Sequence, residues 1–211
     1  TAEFEKGITG LIDRLLQSES PEASEFLKAF EHFIYEYGSR GPNEWEARSP
    51  SWETRPELAL NAIDRMRLAG DELAPKTQNA KRATQREQAA TELLSLVETD
   101  PEVHGELAVG IAASAAWLPA RERTKTNNIR LIHEMRMIMR AIGARMVEKN
   151  AFDEIEDFGF VTEEEYASLF KEPTSMLNII RSRRDEYYKL LEREAQFLFD
   201  GQADHPDTWR R

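Results

Sequence analysis

The stretch WLPARERTKTNNIRLIHEM, residues 117–135, decides the fold because it opens the most regular helical pattern in the chain. From about Ala120 to Lys149, apolar side chains recur at three- and four-residue spacing, which predicts one long amphipathic helix. Its apolar members share one arc of a helical wheel and predict the buried face: Leu131, Ile132, Met135, Ile138, Met139, Ile142 and Met146. The polar members well off this arc, which we expect water to solvate, are Arg123, Arg130, His133 and Arg140.

Two cations, Arg121 and Lys125, lie on or beside the apolar arc, and so does Asn128. The helix would therefore direct two positive charges, one turn apart, toward the protein interior. Because unpaired charge is costly to bury, they need either protein carboxylates or an anionic ligand such as a phosphate group. Spacing alone leaves a second interpretation open, in which the apolar stripe ends before Arg121 and both cations pair with acidic residues at the rim.

Helical patterns also fill most of the remaining chain, and no two segments have the pattern of paired strands. Residues 38–56, GSRGPNEWEARSPSWETRP, have no period, which predicts a long loop that its two tryptophans keep ordered. Helices are expected over residues 1–18, after Ser20, from Pro56, over 76–99, from Pro101, after Thr162 and over 174–199, with a brief extended piece at 158–161. The prediction is an all-α multi-helix bundle of about seven or eight helices.

The helical patterns stop near residue 199, and the tail DGQADHPDTWRR, residues 200–211, is rich in polar and turn-forming residues. We therefore expect one helical domain over residues 1–199, followed by the start of a linker to a missing domain.

Composition restricts the possible partners. The net charge is −11, from 28 basic and 39 acidic side chains, which disfavours nucleic acid and anionic membranes as partners. The chain has no cysteine, which excludes disulfides and thiolate metal sites. We find no apolar run of roughly 18 residues and no signal pattern, so we expect a cytoplasmic protein.

Known catalytic motifs are missing from the sequence. The four histidines are scattered without an H-E-x-x-H pattern, and DEIED, residues 153–157, lacks the glycine and spacing of a calcium loop. No P-loop, dinucleotide fingerprint or G-x-S-x-G elbow is present. We therefore expect that the chain holds no metal and no cofactor of its own.

The tryptophan-containing loop offers a second group of candidate residues. Arg40, Glu44 and Glu46, with Trp45 and Trp52, could form a polar binding site. Alternatively, the charged residues could form ion pairs and the tryptophans could pack into the core, so that together they anchor a long loop. The pattern favours this second interpretation.

Four segments in the same order resemble the central helical domain of the phosphoenolpyruvate-synthase-like phosphotransferases, and most closely rifampin phosphotransferase. The segments are FEHFIYEYGSRGPNEWEARSPSWETRP, ARERTKTNNIRLIHEMRMIMRAIGARMVEKNAF, DEIEDFGFVTEEEY and IIRSRRDEYYKLL. The family's R-E-x-x-K motif on the long helix matches Arg121, Glu122 and Lys125. Trp45 and Glu46 stand where rifampin enzymes tend to have an isoleucine and an aspartate, so the acceptor need not be rifampin.

The resemblance implies a role in phosphoryl transfer. In this family an ATP-grasp domain, which binds ATP and Mg, passes a phosphoryl group to a histidine of a swivelling domain, with release of AMP and phosphate. That histidine then phosphorylates a hydroxyl bound in the helical domain. The resemblance assigns Arg121 and Lys125 to the transfer site, and it makes Arg40, Glu44, Trp45 and Asn128 candidates for binding a small hydroxylated acceptor, apolar or aromatic in character.

We therefore expect an acceptor-binding part of a phosphotransferase, inactive without its ATP-grasp and swivelling histidine domains. The alternative function is a non-catalytic helical domain used for docking or protein interaction. The first hypothesis needs a pocket beside Arg121 and Lys125, whereas the second expects both cations at a flat rim, paired with glutamates.

Overall fold

The computed structural model describes residues 2–210, and within that range it contains α-helices and short 3₁₀ turns but no β-strand. The all-α prediction is confirmed. The chain divides into two compact units, Thr1–His133 and Glu134–Arg211, each with its own apolar cluster. The single domain expected over residues 1–199 stays a prediction. The helices are α1 (Ala2–Glu5), α2 (Leu11–Leu16), α3 (Pro21–Tyr37), α4 (Glu57–Leu68), α5 (Pro75–Leu96), α6 (Pro101–Glu148), α7 (Tyr166–Lys171) and α8 (Leu177–Leu191).

The first unit is built around α2, α3 and α4. Helix α3 begins as predicted, because the Ser20 hydroxyl accepts a hydrogen bond from the backbone N–H of Ala23 at 3.3 Å and Pro21 occupies the first turn. The aromatic rings of α3 stack along its inner face at one-turn spacing. The buried apolar residues of this unit are Leu11, Leu15, Ala23, Phe30, Ala59 and Leu60.

The N-terminal segment differs from the prediction of one helix over residues 1–18. It forms two short helices, because Gly7 (φ 94°) and Gly10 (φ 68°) adopt left-handed backbone conformations between them. The Arg14 guanidinium stabilises this turn by donating to the backbone carbonyls of Glu3, Gly7 and Thr9. The apolar residues at helical spacing still pack into one core, but two permissive glycines interrupt the helix.

The long loop at residues 38–56 is ordered, as its tryptophans predicted. The backbone N–H of Trp52 donates to the Arg40 carbonyl at 2.8 Å, so the two arms of the loop run side by side. The Trp52 ring stacks on Phe33 of α3 with 5.3 Å between ring centroids. Gly41 permits the close approach, since a Cβ there would lie 2.6 Å from the Pro50 carbonyl oxygen. This loop positions the candidate site described below.

The prediction of separate helices from Pro101 and from about Ala120 is wrong, because α6 runs through 48 residues without a break. Pro119 lies inside it. An interior proline removes one backbone hydrogen bond, and its ring crowds the carbonyl four residues earlier, which usually kinks or breaks a helix, yet α6 continues through Pro119.

The second unit packs the last turns of α6 against α7 and α8. Gly143 of α6 lies so close to the 3₁₀ turn Ile155–Phe160 that a Cβ there would meet the Ile155 carbonyl oxygen at 2.2 Å. The extended piece predicted at residues 158–161 is therefore wrong: residues up to Phe160 form this turn, and Phe158 and Phe160 enter the core. The buried apolar residues of the unit are Met146, Ala151, Phe152, Phe158, Phe160, Leu169, Met176 and Ile180.

Two arginines of α8 hold the connecting turns in place. Arg184 contacts the buried Asp157 at 3.0 Å, and Arg183 binds both carboxylate oxygens of Glu165 at 2.6 and 2.8 Å. Glu165 also accepts from the backbone N–H of Thr162 at 2.9 Å, which confirms the predicted capping box. The guanidinium of Arg183 first, and this backbone donor second, lower the pKa of Glu165 to about 2.

The final helix ends earlier than the predicted residue 199. Helix α8 stops at Leu191, and the Glu194 backbone N–H then donates to the Arg210 carbonyl at 2.7 Å. Arg193 donates to the Pro206 carbonyl at 2.6 Å and to the Asp207 carboxylate at 3.0 Å. Residues 192–210 thus fold back on themselves through backbone contacts that periodicity does not reveal.

Candidate functional site

The buried face of α6 matches the predicted one only in part: Met146 is buried and Met139 and Ile142 pack against the same core, but other members of the predicted face lie outside it. Leu131, Met135 and Ile138, expected inside, are 65%, 57% and 61% exposed, whereas His133 and Arg136 are 5% and 1% exposed. The expectation that water solvates His133 is wrong, because its Nε2 contacts the Glu53 carboxylate at 2.9 Å. Polar side chains with partners therefore occupy part of the buried face, and an apolar pattern cannot locate such a face.

Lys125 lies beside the buried face of α6 and contacts the tryptophan-containing loop. Its Nζ is 2.8 Å from Oε1 of Glu44, whose side chain is 11% exposed. Arg40 binds the same carboxylate from the other side through Nε and Nη2, and its Nη1 donates to the Thr126 hydroxyl at 3.2 Å. Arg40 and Lys125 thus converge on one carboxylate, although 85 positions separate them in the sequence.

Electrostatics keep Glu44 ionised. Burial by itself would raise the pKa of this carboxyl, but the hydrogen bonds from Arg40 and Lys125 together outweigh it and hold the pKa below its ordinary value. With two cations and one carboxylate, the cluster has a formal charge of +1 in a chain of charge −11. It is therefore a local positive site that an anionic group can approach.

A cavity of about 310 Å³ opens beside this cluster. That volume lies at the lower end of the range for small-molecule sites. Trp45, at 55% exposed, and the stacked Trp52 give it two aromatic walls. Trp52 packs on Phe33 and Arg40 is in an ion pair, and the same residues also line a cavity, so their role in binding stays a prediction. Its lining is formed by Arg40, Gly41, Pro42, Asn43, Glu44, Trp45, Trp52 and Lys125.

Arg121 is not directed inward as the wheel predicted. Its side chain is 72% exposed, and its ion-pair contact is with the adjacent Glu122 at 3.6 Å. Asn128 is also exposed, and neither residue lines the cavity. On this part of α6 the buried side is that of Ile129 and His133, so Lys125 lies beside it, whereas Arg121 and Asn128 lie outside it. The cation that joins Lys125 is instead Arg40, a loop residue.

Further ion pairs attach α6 to the preceding segments of the first unit. Arg130 donates to both the carbonyl and the carboxylate of Glu36, at 2.9 and 3.1 Å, and His133 pairs with Glu53. These contacts hold the end of α3 and the second arm of the loop against α6. Sequence reasoning missed the Glu53–His133 pair and the role of Thr126, because no local pattern relates residues 80 or more positions apart.

The arrangement suits the binding of an anion next to a polar group. Arg40 has a planar guanidinium fork and Lys125 a compact ammonium, which together can contact two oxygens of a phosphoryl group. The ionised Glu44 carboxylate can accept a hydrogen bond from a hydroxyl in the same cavity. Within residues 2–210, no group of three His, Asp or Glu side chains has the geometry to hold a metal ion.

No helix in the described part of the chain has both the length and the apolar character needed to cross a membrane.

Comparison with known proteins identifies the family to which the chain belongs. No curated protein matches the chain. The sequence model of a family described as "Rifampicin phosphotransferase fourth domain" matches residues 1–122. The matched range is more than half of the 211 residues and includes Arg40, Glu44, Trp45 and Arg121, while Lys125 lies three positions beyond it. The chain therefore belongs to the rifampicin phosphotransferase fourth-domain family, as the resemblance of its four segments predicted.

Proposed function

We propose that this chain is the acceptor-binding domain of an ATP-dependent phosphotransferase. In the proposed reaction, a phosphohistidine on a swivelling domain donates its phosphoryl group to a hydroxyl held beside Lys125. ATP and Mg would be bound by a further domain, which releases AMP and phosphate when it loads the histidine. The family match supports the phosphotransferase part of this proposal. The observation that carries the rest is the convergence of Arg40 and Lys125 on Glu44 at the wall of an aromatic cavity.

Each polar residue of the cluster has a separate role in the proposed transfer. The acceptor hydroxyl donates a hydrogen bond to Glu44, which orients its oxygen toward the phosphorus atom. The N–P bond of the phosphohistidine breaks while the new O–P bond forms, and Lys125 and Arg40 stabilise the charge on the transferred oxygens. The hydroxyl proton passes to Glu44 late in the transfer and from there to water. Because its pKa is lowered, Glu44 acts mainly by orientation rather than as a strong base.

Arg121 has a proposed role at the rim. Its exposed guanidinium lies one helical turn before Lys125, on the solvent side of α6. A phosphorylated domain that approaches the cavity would meet this side chain before it reached Lys125. We therefore assign to Arg121 the first contact with the incoming phosphoryl group, and to Lys125 the contact during transfer.

Trp45 and Trp52 indicate the kind of acceptor. An aromatic or apolar molecule can stack on these rings. Because Trp45 is 55% exposed in the free chain, its fluorescence should change when an acceptor binds.

The test uses the enzyme that carries this domain together with its phosphorylated histidine. Lys125→Ala should lower acceptor phosphorylation by about a hundredfold, the usual size of a lost electrostatic contact, and leave ATP-dependent histidine phosphorylation unchanged. Arg123→Ala is the matched control, because Arg123 is an exposed arginine of the same helix that makes no ion pair with the described residues. Equal product formation by the Lys125→Ala and Arg123→Ala enzymes would refute the proposed function.

The docking alternative is favoured by one observation, namely that Lys125 already has a glutamate partner while Arg121 faces solvent. In that case the cluster only holds the loop against α6. Lys125→Ala would then lower the stability of the chain and would not change the rate of phosphoryl transfer per folded molecule.

A further inference from the structure

Helix α5 and the first half of α6 form a hairpin with an open inner face. The four residues 97–100 join the two helices, so they run antiparallel. No residue of α5 is buried, although the helix is 22 residues long. A groove of about 1180 Å³ separates it from α6. A polar 22-residue helix without buried contacts has little to stabilise it. We therefore expect another molecule or segment to fill the groove.

The floor of this groove is apolar. Its apolar residues come from both helices, and two of them, Leu93 and Leu118, are 48% and 55% exposed. Trp117 and Leu96 on the same hairpin are 72% and 78% exposed. Contiguous exposed apolar surface of this kind marks a contact site. The residues that form the floor are Ala90, Leu93, Leu107, Ile111, Ala115 and Leu118.

The charges of the hairpin are separated along its length. Residues 75–87, at the base, contain four basic side chains, Lys76, Lys81, Arg82 and Arg86, and one acidic side chain, Glu87. Residues 88–120, which include the tip, contain five acidic side chains and no Lys or Arg: Glu92, Glu98, Asp100, Glu102 and Glu106. All ten are exposed, and none makes an ion pair with the described residues. The hairpin therefore has a positive base and a negative tip.

We propose that this hairpin binds the same hairpin of a second copy of the chain, in antiparallel orientation. A two-fold axis near Ala90 would place each acidic tip against the basic base of its partner, and the two apolar floors would cover each other. The separated charges are thus self-complementary, which a partner of uniform charge would not match. They also offset the repulsion expected between two chains of charge −11.

The hairpin is large enough for such an interface. A 22-residue helix is about 33 Å long, and two helices side by side are about 20 Å wide, so each copy offers roughly 650 Å². A standard interface buries about 800 Å² per partner. Buried area does not fix affinity, so we set the test for a Kd of about 1 µM, as for a weak specific complex.

The first test is the mass of the 211-residue chain by sedimentation equilibrium. At about 100 µM, well above the expected Kd, the mass should approach 2 × 24.3 = 48.6 kDa. Raising the salt concentration from about 0.1 M to about 1 M shortens the screening length from about 10 Å to about 3 Å and should weaken the dimer. A chain that stays at 24.3 kDa at about 100 µM in low salt overturns the proposal.

Charge reversal tests the orientation. One variant carries Arg82→Glu and Arg86→Glu at the base, and the other carries Glu102→Lys and Glu106→Lys at the tip. Each variant alone places like charges in contact at both ends of the dimer, so its self-association should weaken by roughly tenfold or more. Mixed together, they place opposite charges at both ends, and a heterodimer should form with at least wild-type affinity. Failure of the mixture to associate overturns the antiparallel pairing, provided that circular dichroism shows both variants folded.

Two other occupants of the groove would give different results. A small apolar ligand would leave the chain monomeric and insensitive to charge reversal. Another domain of the same enzyme would leave the chain monomeric, and the charge-reversed mixture would show no rescue. Both results contradict the proposal. Neither result touches the proposed function, which depends on the Lys125 cluster alone.

Discussion

Replacement of Glu44 by Gln tests the cluster that joins the loop to α6. The carboxylate is 11% exposed and is bound by Arg40 and Lys125, whose side chains are 25% and 31% exposed. Exposed ion pairs contribute about 0–1 kcal/mol and broken buried pairs cost about 3–5 kcal/mol, so for this half-buried cluster we expect a loss of about 2 kcal/mol. In a chain of this size, that loss lowers the melting temperature by about 4–8 °C.

Urea unfolding followed by tryptophan fluorescence measures this loss, since three of the four tryptophans, Trp45, Trp52 and Trp117, lie in the first unit. Glu31→Gln is the matched control, because Glu31 is an exposed glutamate of α3 that makes no ion pair with the described residues. The pKa of Glu44 is lowered in the folded chain, so its contribution is fully present above the ordinary carboxyl value of 4.5 and is lost as the pH falls below it. The two free energies of unfolding should therefore converge in acid. If Glu44→Gln and Glu31→Gln differ by less than about 0.5 kcal/mol at neutral pH, the cluster does not hold the loop.

Three further predictions concern stability. Glu165→Gln should lower the free energy of unfolding above about pH 4.5 and have no effect near pH 2, where the paired carboxyl protonates. The exposed Glu163→Gln should change this free energy little at any pH. Unfolding measured over an acid pH series checks this, and equal pH profiles for the two variants would contradict it. Trp52→Ala should lower the free energy of unfolding by about 3 kcal/mol, because its ring stacks on Phe33. Trp45→Ala, at a 55% exposed position, should lower it by under about 0.5 kcal/mol. Equal losses for the two variants in urea unfolding would argue against an anchored loop. Gly143→Ala should destabilise the second unit by about 2 kcal/mol or more, because its Cβ meets a backbone oxygen at 2.2 Å, and unchanged thermal unfolding would show that the turn can move away.

Much of the fold follows from local pattern. The start of α3 at Ser20–Pro21, the capping box at Thr162 and Glu165, and the all-α class each depend on residues within a few positions of one another. The errors in the predicted helix boundaries arise where the backbone conformation of single residues sets the boundary. Gly7 and Gly10 divide the first helix although its apolar spacing is continuous, whereas α6 continues through Pro119, a residue that usually kinks or breaks a helix interior.

The site could be predicted only in part, because its members come from separate segments. The resemblance identified Arg40, Glu44 and Lys125 as candidates, and the structure brings all three into one cluster. The helical-wheel prediction that Arg121 faces inward is wrong because it assumes that the buried face of α6 is apolar. That face carries His133 with its carboxylate partner. A single sequence cannot show that Glu53, 80 positions earlier, satisfies that histidine.

The rate of single-turnover transfer from the preloaded phosphohistidine tests the central claim most directly. In the enzyme that carries this domain, the histidine is first phosphorylated with ATP, and its decay is then followed after acceptor is added. If Lys125 stabilises the transferred phosphoryl group, Lys125→Ala slows that decay by about a hundredfold, while Arg123→Ala decays as fast as the wild type. A Lys125→Ala rate within about twofold of the wild type would contradict the account, because a contact made in the transition state cannot be lost at so small a cost.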